Sequence, residues 1–181
     1  SPLSRPLRQV SRERCGYPSG DPPRRWLDAI VHVTARADYA VRAVIELASR
    51  IPASTTRQQI AESQEIPGKF LETILGDLRR AGVLEAQRGA AGGYRLAADP
   101  ATIRLADVIR AAEGPLAAVR GMPPEDTAYP GPAAPLTDVW VAVRASLRDV
   151  LEATTVADVL ADRLPDHVRA LLQRPDSGVR R

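Results

Sequence analysis

The sequence of 181 residues contains little of what several common kinds of functional site require. A single cysteine, Cys15, excludes an internal disulfide framework and a multi-cysteine metal site within one chain. Aromatic residues make up 4% of the chain, so its core must be aliphatic, which favours helices. No apolar run approaches the roughly 18 to 20 residues that span a bilayer, and no apolar stretch of a secretory signal follows the N-terminal arginines. We therefore expect a cytoplasmic protein that does not bind membranes.

The net charge of the chain is also small. Basic residues outnumber acidic residues by three, and the 25 basic residues include one lysine, Lys69. The positive surplus lies mainly in residues 1–33, whereas residues 34–100 and 101–181 are each close to neutral. Because no domain-wide basic field is present, binding to DNA would depend on a few placed arginines and on helix termini.

Residues 1–33 are predicted to form a disordered N-terminal arm. The first part of the arm is rich in proline and arginine and has no periodic apolar pattern. The ordered pattern begins near Thr34, just after Val31 and Val33. Valine codons can serve as translation starts in GC-rich genomes, and the preference for arginine over lysine is typical of such genomes. We therefore expect the arm to be a translated leader.

Apolar spacing predicts three helices in the first half of the ordered chain. The first is predicted over residues 35–50, and the second over residues 56–63, opened by a capping box of Thr55 and Gln58. The third is predicted from Pro67 to Ala81, because proline suits the first helical position. Its inward face is expected to carry Phe70, Leu71, Ile74, Leu75 and Leu78.

The stretch RGAAGGYRL, residues 88–96, lies between two short extended runs. A glycine-rich loop that cradles phosphate needs a strand before it and a helix N-terminus after it. Here an extended run ending in Pro100 follows, so the stretch is predicted to be the tip of a β-hairpin, with Arg88 at its base. The sequence also offers no nucleophile–base pair, carboxylate couple or metal set. We therefore do not expect an enzyme.

The second half of the chain is predicted to be helical around a loop. A fourth helix is predicted over residues 101–114, a proline-rich loop over 115–135, a long helix in the region 136–165, and a tail over 166–181. The fourth helix is expected to bury Ile103, Leu105, Val108 and Ile109. The long helix has a heptad-like apolar seam. Its spacing predicts a dimer interface formed by Leu136, Trp140, Val143, Leu147 and Val150.

Two short helices joined by a tight turn and followed by a hairpin predict a winged helix-turn-helix at residues 34–114. The fold class is thus mainly α with a small β-hairpin, followed by a long C-terminal dimerisation helix. In this arrangement the third helix enters the major groove, where glutamate accepts from cytosine and lysine donates to guanine or phosphate. A wing arginine suits the narrow minor groove. The predicted DNA-binding residues of helix 67–81 and wing 88–94 are Gly68, Lys69, Glu72, Thr73, Arg79, Arg88, Gly92 and Gly93.

Two alternatives stay open at this point. The outward residues of the third helix are equally compatible with an ordinary solvated face. Arg95 either contacts a phosphate or is simply solvated.

Residues 34–114 also resemble the Rrf-type family of bacterial winged-helix transcription regulators, which includes the iron–sulfur cluster biogenesis regulator and the cysteine-metabolism repressor. The most specific shared element is IP..FL..IL..L..AG…RG..GGY.LA. The resemblance implies a homodimer whose long helix crosses its partner and whose two winged domains meet an imperfect palindrome. It also implies that Glu72 and Arg88 are the most important DNA contacts.

The family's cluster ligands are missing from this sequence. Many members hold an iron–sulfur cluster with three cysteines in the loop before the long helix, and the corresponding loop, GMPPEDTAYPGPAAPLTD, contains none. Asp38 falls where some members place a further ligand, but a lone carboxylate cannot hold a cluster, and a first-turn aspartate suits the helix dipole. We therefore expect a clusterless member with no cofactor and no metal site.

The signal that such a member senses is left open by the sequence. A small-molecule effector would bind between the winged domain and the dimerisation helix, where Trp140 and Tyr129 are the candidate stacking residues. Control through a regulatory protein partner is the alternative.

Together these observations predict a dimeric, sequence-specific transcription regulator that binds double-stranded DNA, acts as a repressor and has no catalytic activity. The alternative is a winged-helix adaptor that binds other proteins and no longer binds DNA. The near-neutral charge of residues 34–100 permits this second interpretation.

Overall fold

The computed structural model describes residues 33–89, 92–175 and 177, so all but Val33 of the predicted N-terminal arm lies outside the described residues. The described chain is mainly helical with one two-stranded antiparallel sheet. Its elements are α1 (Ala35–Ser49), α2 (Arg57–Gln64), α3 (Gly68–Arg80), β1 (Leu84–Gln87), β2 (Gly93–Leu96), α4 (Leu105–Glu113), α5 (Leu136–Leu151), α6 (Val156–Leu160) and α7 (Asp166–Leu172).

Helix α1 is the central element of the domain and packs against α2, α3, α4 and α6. It begins after Thr34, whose side-chain oxygen accepts a hydrogen bond from the backbone N–H of Ala37 at 3.0 Å. Its buried face is rich in alanine, which lets the neighbouring helices approach closely. The core around it includes the fully buried side chains of Val44, Leu47, Ile60, Leu71, Ile74, Leu75 and Leu78.

Phe70 is an exception to the predicted inward face of α3. Its side chain is 58% exposed and makes an edge-to-face contact with Tyr39, with ring centroids 6.5 Å apart. The four fully buried residues of α3 follow the i, i+3, i+4, i+7 stripe that begins at Leu71. Phe70 lies about a quarter turn from the centre of that stripe, so the core covers only its edge.

Helix α2 begins one residue later than the capping box of Thr55 and Gln58 predicts. The box is formed instead by Thr56 and Gln59, with the Gln59 backbone N–H donating to Thr56 Oγ1 at 3.2 Å. Thr55 is drawn into extended pairing with Tyr94, through two backbone hydrogen bonds of 2.9 Å. Both threonines are followed three residues later by a glutamine, so local sequence does not show which of them caps the helix. The pairing of Thr55 with the hairpin leaves Thr56 as the cap.

Helix α4 is shorter than predicted and begins at Leu105. Residues 100–102 form a turn, and the next two residues are extended, because Ile103 accepts a backbone hydrogen bond from Val156 at 2.9 Å and Arg104 bridges to Thr155. Among the residues expected to be buried, Ile103 and Val108 are buried, whereas Leu105 and Ile109 are half-buried. The chain after α5 thus returns to the winged domain, where Val156 joins the core.

Candidate nucleic-acid interface

The outward face of α3 carries the predicted helix contacts. Gly68, Lys69, Glu72, Thr73 and Arg79 are all exposed, while the opposite face of the helix is buried. Positions three and four apart are neighbours on a helix surface, so Lys69, Glu72 and Thr73 form one polar strip. Arg79 lies on the same face, two turns beyond Glu72. The composition of the strip, with a carboxylate acceptor, an ammonium donor and a hydroxyl, matches the groups that read base edges in a major groove.

Glu72 is held in place by a residue that the sequence analysis did not identify. Arg57, the first residue of α2, lies with its Nη1 atom 2.6 Å from Glu72 Oε2. The two residues are 15 positions apart, so no helical spacing signals the pair. Arg57 therefore belongs to the candidate interface, where it links the first turn of α2 to the recognition strip of α3.

The wing is the antiparallel hairpin of β1 and β2, paired in register from Leu84 with Leu96 to Gln87 with Gly93. Arg88 follows β1 directly and is exposed. Residues 90 and 91, at the tip of the predicted wing, lie outside the described residues. Arg88 thus lies where the loop of the hairpin begins, next to the last pair of the ladder, and its contact with DNA stays a prediction.

Glycine is needed in this hairpin for two distinct reasons. Gly89 adopts a φ of +109°, a backbone conformation that is unfavourable for residues with a Cβ atom. At Gly92 and Gly93 the reason is close approach: an added Cβ would lie 2.6 Å from the carbonyl oxygens of Gly89 and Thr55, respectively. Gly92 and Gly93 therefore shape the wing and seat it against the helical domain, and their contact with DNA stays a prediction.

Several arginines near the interface are neutralised by acidic neighbours. Arg95 pairs across the hairpin with Glu85 at 2.8 Å. By contrast, Lys69, Arg79 and Arg88 form no ion pair within the part of the chain that the structure describes. These three exposed cations are therefore the ones available to phosphate or base edges.

Helix α5 presents the predicted dimer residues without covering them. Leu136 is 38% exposed, its neighbour Val139 is 49% exposed, and no residue of this sixteen-residue helix is buried. The other residues of the predicted seam, Trp140, Val143, Leu147 and Val150, are half-buried. An apolar helix face in this state is typical of an interaction surface.

Asp38, the residue considered as a cluster ligand, is paired with a neighbouring arginine. Asp38 is an exposed first-turn residue of α1 that pairs with Arg42 at 3.3 Å. Within residues 33–89, 92–175 and 177, no group of three or more His, Cys, Asp or Glu side chains is placed to hold a metal ion. Among the same residues, none of the helices has the length and apolar character needed to cross a membrane.

Comparison with known proteins assigns the fold and its function. A family model described as Rrf2, iron-dependent transcriptional regulator, matches residues 33–162. The chain belongs to the Rrf2 family. It is 45% identical over 142 residues to protein Rv1287 of Mycobacterium tuberculosis, covering 78% of this chain and 88% of that protein. It is 30% identical over 128 residues to the HTH-type transcriptional regulator CymR of Bacillus subtilis, covering 70% and 88% of the two chains.

Solved structures of Rrf2-type regulators share the fold. The structure of CymR, the global cysteine regulator of B. subtilis, superposes with a TM-score of 0.62 at 30% identity, over 74% of this chain and 98% of that one. IscR from T. potens superposes with a TM-score of 0.60 at 32% identity, over 72% and 87% of the two chains. The predicted winged helix-turn-helix fold and the resemblance to the family are thus confirmed.

Membership of the Rrf2 family also establishes the general activity. The chain is a DNA-binding transcription regulator and not an enzyme, as the sequence predicts.

Proposed function

We propose that two copies of this chain bind an imperfect palindrome, with α3 of each copy in the major groove and Arg88 of each wing in the adjacent minor groove. The observation that carries this proposal is the strip of Lys69, Glu72, Thr73 and Arg79, which is exposed along one face of α3. Its positive groups fix the protein on phosphates, while its carboxylate reads cytosine. Two-fold symmetry of the protein would then match two-fold symmetry of the operator.

The proposed homodimer is supported by the unburied apolar face of α5. A helix with a heptad-like seam gains most of its stability from packing that seam against another element. In the single chain, α5 leaves Leu136 and Val139 exposed and buries none of its residues. A second copy of α5 crossing the first would cover this face on both chains, which is the self-complementary contact of a two-fold dimer.

We further propose that the regulator acts as a repressor in the cytoplasm. A dimer seated on promoter DNA excludes polymerase by occupying the same grooves, and this requires no contact with the transcription machinery. The adaptor alternative makes the opposite prediction, because an adaptor has no operator and its wing arginine has no groove to enter.

We propose that this regulator works without an iron–sulfur cluster, although the family description names iron. Clusters are held by thiolates and imidazoles, and residues 115–135, which join α4 to α5, contain neither cysteine nor histidine. The purified full chain should be colourless, and its affinity for the operator should be unchanged after incubation with an iron chelator. A brown protein, or loss of operator binding on chelation, would contradict this part of the proposal.

The experiment that tests DNA recognition compares two arginines of the same wing. Genomic fragments bound by the full chain are selected, and the affinity for the best fragment is measured for Arg88→Ala and Arg95→Ala. Arg88→Ala should weaken binding by about 1 to 3 kcal/mol, because Arg88 is exposed and unpaired within the described residues. Arg95→Ala removes the same charge from the same hairpin, but Arg95 is already paired across the strands with Glu85, so its effect should be smaller.

The adaptor interpretation is favoured by the converse result. If no genomic fragment is bound more tightly than scrambled DNA at moderate salt, and if Arg88→Ala changes nothing, then the chain does not recognise an operator. Both measurements use the full chain.

A further inference from the structure

A cavity of about 410 Å³ lies where the end of α4, the loop that follows it and α5 meet. This volume falls within the range of about 300 to 1,000 Å³ that is typical of small-molecule sites. Neither Trp140 nor Tyr129, the stacking residues expected from the sequence, lines it; Tyr129 instead packs under Arg120 at 5.3 Å. We propose that this cavity binds a small organic monocarboxylate with a compact apolar body, and that Arg144 is its anchor.

The cationic side of the cavity comes from two helices. Arg144 and Arg148 are four residues apart on α5 and so lie on the same side of that helix, while Arg110 comes from α4. Arg110 is engaged by Asp107 and Glu152, and Arg148 lies 3.5 Å from Glu152. Arg144 is the most enclosed of the three, with 16% of its side chain exposed. A guanidinium in such a partly enclosed position is the usual anchor for a carboxylate.

The cavity already contains one carboxylate, supplied by the chain itself. Glu125 Oε2 lies 2.5 Å from Arg144 Nη1, and the Glu125 side chain is 52% exposed. The hydrogen bond from Arg144 holds the pKa of Glu125 below its ordinary value, so this group is ionised at neutral pH. The arginine is therefore the enclosed partner and the carboxylate is the accessible one, so a carboxylate from solvent can take the place of Glu125.

The balance of charge selects a monoanion. Around the cavity, the positive charges of Arg110, Arg144 and Arg148 are matched by Asp107, Glu125 and Glu152. A monocarboxylate that displaces Glu125 from Arg144 adds a single negative charge while the displaced Glu125 turns to solvent, whereas a polyanion would add several negative charges facing Glu152. The contact with Glu125 uses one terminal nitrogen of Arg144, while a guanidinium can present two parallel donors to a free carboxylate.

The rest of the lining selects an apolar body for the ligand. Most of the remaining wall consists of Pro115, Leu116, Ala118, Pro123 and Pro124. Apolar surface of this kind is covered favourably by an apolar ligand and offers few polar partners to a sugar or a peptide. Glu125 lies in the 3₁₀ turn Pro124–Asp126, which packs against α5.

Benzoate is a suitable probe, and benzamide is its uncharged counterpart of the same shape. Equilibrium dialysis of the full chain against labelled benzoate should give saturable binding, and benzamide should bind at least about tenfold more weakly, because it lacks the charge-assisted contact. Inorganic phosphate should not displace benzoate. Saturable binding of benzamide as tight as that of benzoate, or displacement by phosphate, would overturn the assignment of a carboxylate site.

Three variants then test the role of each residue. Arg144→Gln should weaken benzoate binding by about tenfold or more, whereas Arg120→Gln, which removes the same charge from the neighbouring loop, should leave it unchanged. Glu125→Gln should tighten binding, since it removes the internal competitor. This gain cannot arise from a loss of folding, so it keeps the test decisive even if Arg144→Gln is unstable.

Three results would contradict the proposal. Absence of saturable benzoate binding, unchanged binding in Arg144→Gln, or weaker binding in Glu125→Gln would each overturn it. The dialysis contains no DNA, so failure here leaves the proposed operator recognition untouched, and failure to recognise an operator leaves this site untouched.

Discussion

Arg57 Nη1 and Glu72 Oε2 form an ion pair of 2.6 Å on the surface that joins α2 to α3. With 49% and 69% of the two side chains exposed, such a pair adds little to stability. Its effect is on orientation: Arg57 contacts one carboxylate oxygen and leaves the other able to accept from a cytosine amino group. Fixing an acceptor before binding lowers the entropy lost on binding, so Arg57 is expected to prepare Glu72 for base reading.

The first prediction concerns the specificity supplied by Glu72. Glu72→Gln should reduce discrimination for the cytosine that it contacts by about 1 to 3 kcal/mol, because the amide no longer offers the same acceptor pair. The measurement is operator affinity across a set of single base-pair substitutions. Asp162→Asn, which removes one negative charge from an exposed position after α6, is the matched control and should leave the base preferences unchanged.

The outcome that contradicts this prediction is a uniform change. If Glu72→Gln shifts affinity equally for every operator sequence, then Glu72 acts through net charge alone. Arg57→Ala should change the same base position as Glu72→Gln, though less strongly, because it acts through the orientation of the carboxylate.

The second prediction uses two glycines whose replacement by alanine should have opposite effects on stability. In Gly93→Ala the new Cβ would lie 2.6 Å from the Thr55 carbonyl oxygen, so we expect a loss of about 1 to 3 kcal/mol as the wing shifts. Gly76→Ala lies inside α3 with no atom within 4 Å of its Cβ. It should stabilise the domain by roughly 0.5 to 1 kcal/mol through helix propensity.

Urea unfolding of the two glycine variants and the parent gives both free-energy changes directly. Because the substitution is the same at both positions, the comparison removes the effect of alanine on the unfolded chain. Equal effects at the two positions would show that the contact of β2 with Thr55 does not constrain the wing.

The sequence predicted the wing and the helix order well, because local spacing and turn chemistry determine them. It misplaced the start of α2 by one residue, since Thr55 and Thr56 offer the same capping chemistry and the hairpin decides between them. It also placed Phe70 in the core, although that residue lies at the edge of the apolar stripe and is exposed.

The functional contacts that the sequence did not reveal are all long-range. Arg57 meets Glu72 across a helix–helix turn, and Arg144 meets Glu125 across the proline-rich loop. Neither separation corresponds to a helical or strand period, so neither pair leaves a pattern in one sequence. The proposed DNA-reading strip could be predicted because all of its members share one helix.

The third prediction concerns how the free energy of unfolding changes as the pH falls into the acid range. Burial of Glu46 in α1 by itself raises its pKa, but hydrogen bonds from Gln64, Arg50 and Ser63 outweigh this and hold the pKa below the ordinary value of 4.5. The ionised form is therefore favoured by folding. Its contribution is present above the pKa of the unfolded chain and is lost as pH falls through the lower folded pKa.

Glu46→Gln should accordingly lower the free energy of unfolding at neutral pH, and the deficit relative to the parent should shrink as pH falls below about 4.5. Denaturant unfolding between neutral and acid pH measures this difference. Glu65→Gln, an exposed glutamate at the end of α2, is the matched control. A deficit that stays constant across the acid range would contradict the linkage.

The last prediction concerns the seam of α5. Leu147→Asp places a charge within the proposed dimer interface, and burying an unpaired carboxylate there is strongly unfavourable. It should therefore shift the protein from dimer to monomer. Ala145→Asp introduces the same charge at an exposed position of the same helix and should leave the dimer intact. Light scattering after size-exclusion chromatography distinguishes the two states.

Operator binding then separates a role in assembly from a role in folding. A folded Leu147→Asp monomer, verified by circular dichroism, should lose most of its affinity for a full palindrome, because it can occupy one half-site at a time. Its affinity for an isolated half-site should equal the affinity of the parent protein for the same half-site, counted per winged domain. If Leu147→Asp remains dimeric with full operator affinity, then α5 does not form the interface, and another surface must hold the two winged domains together.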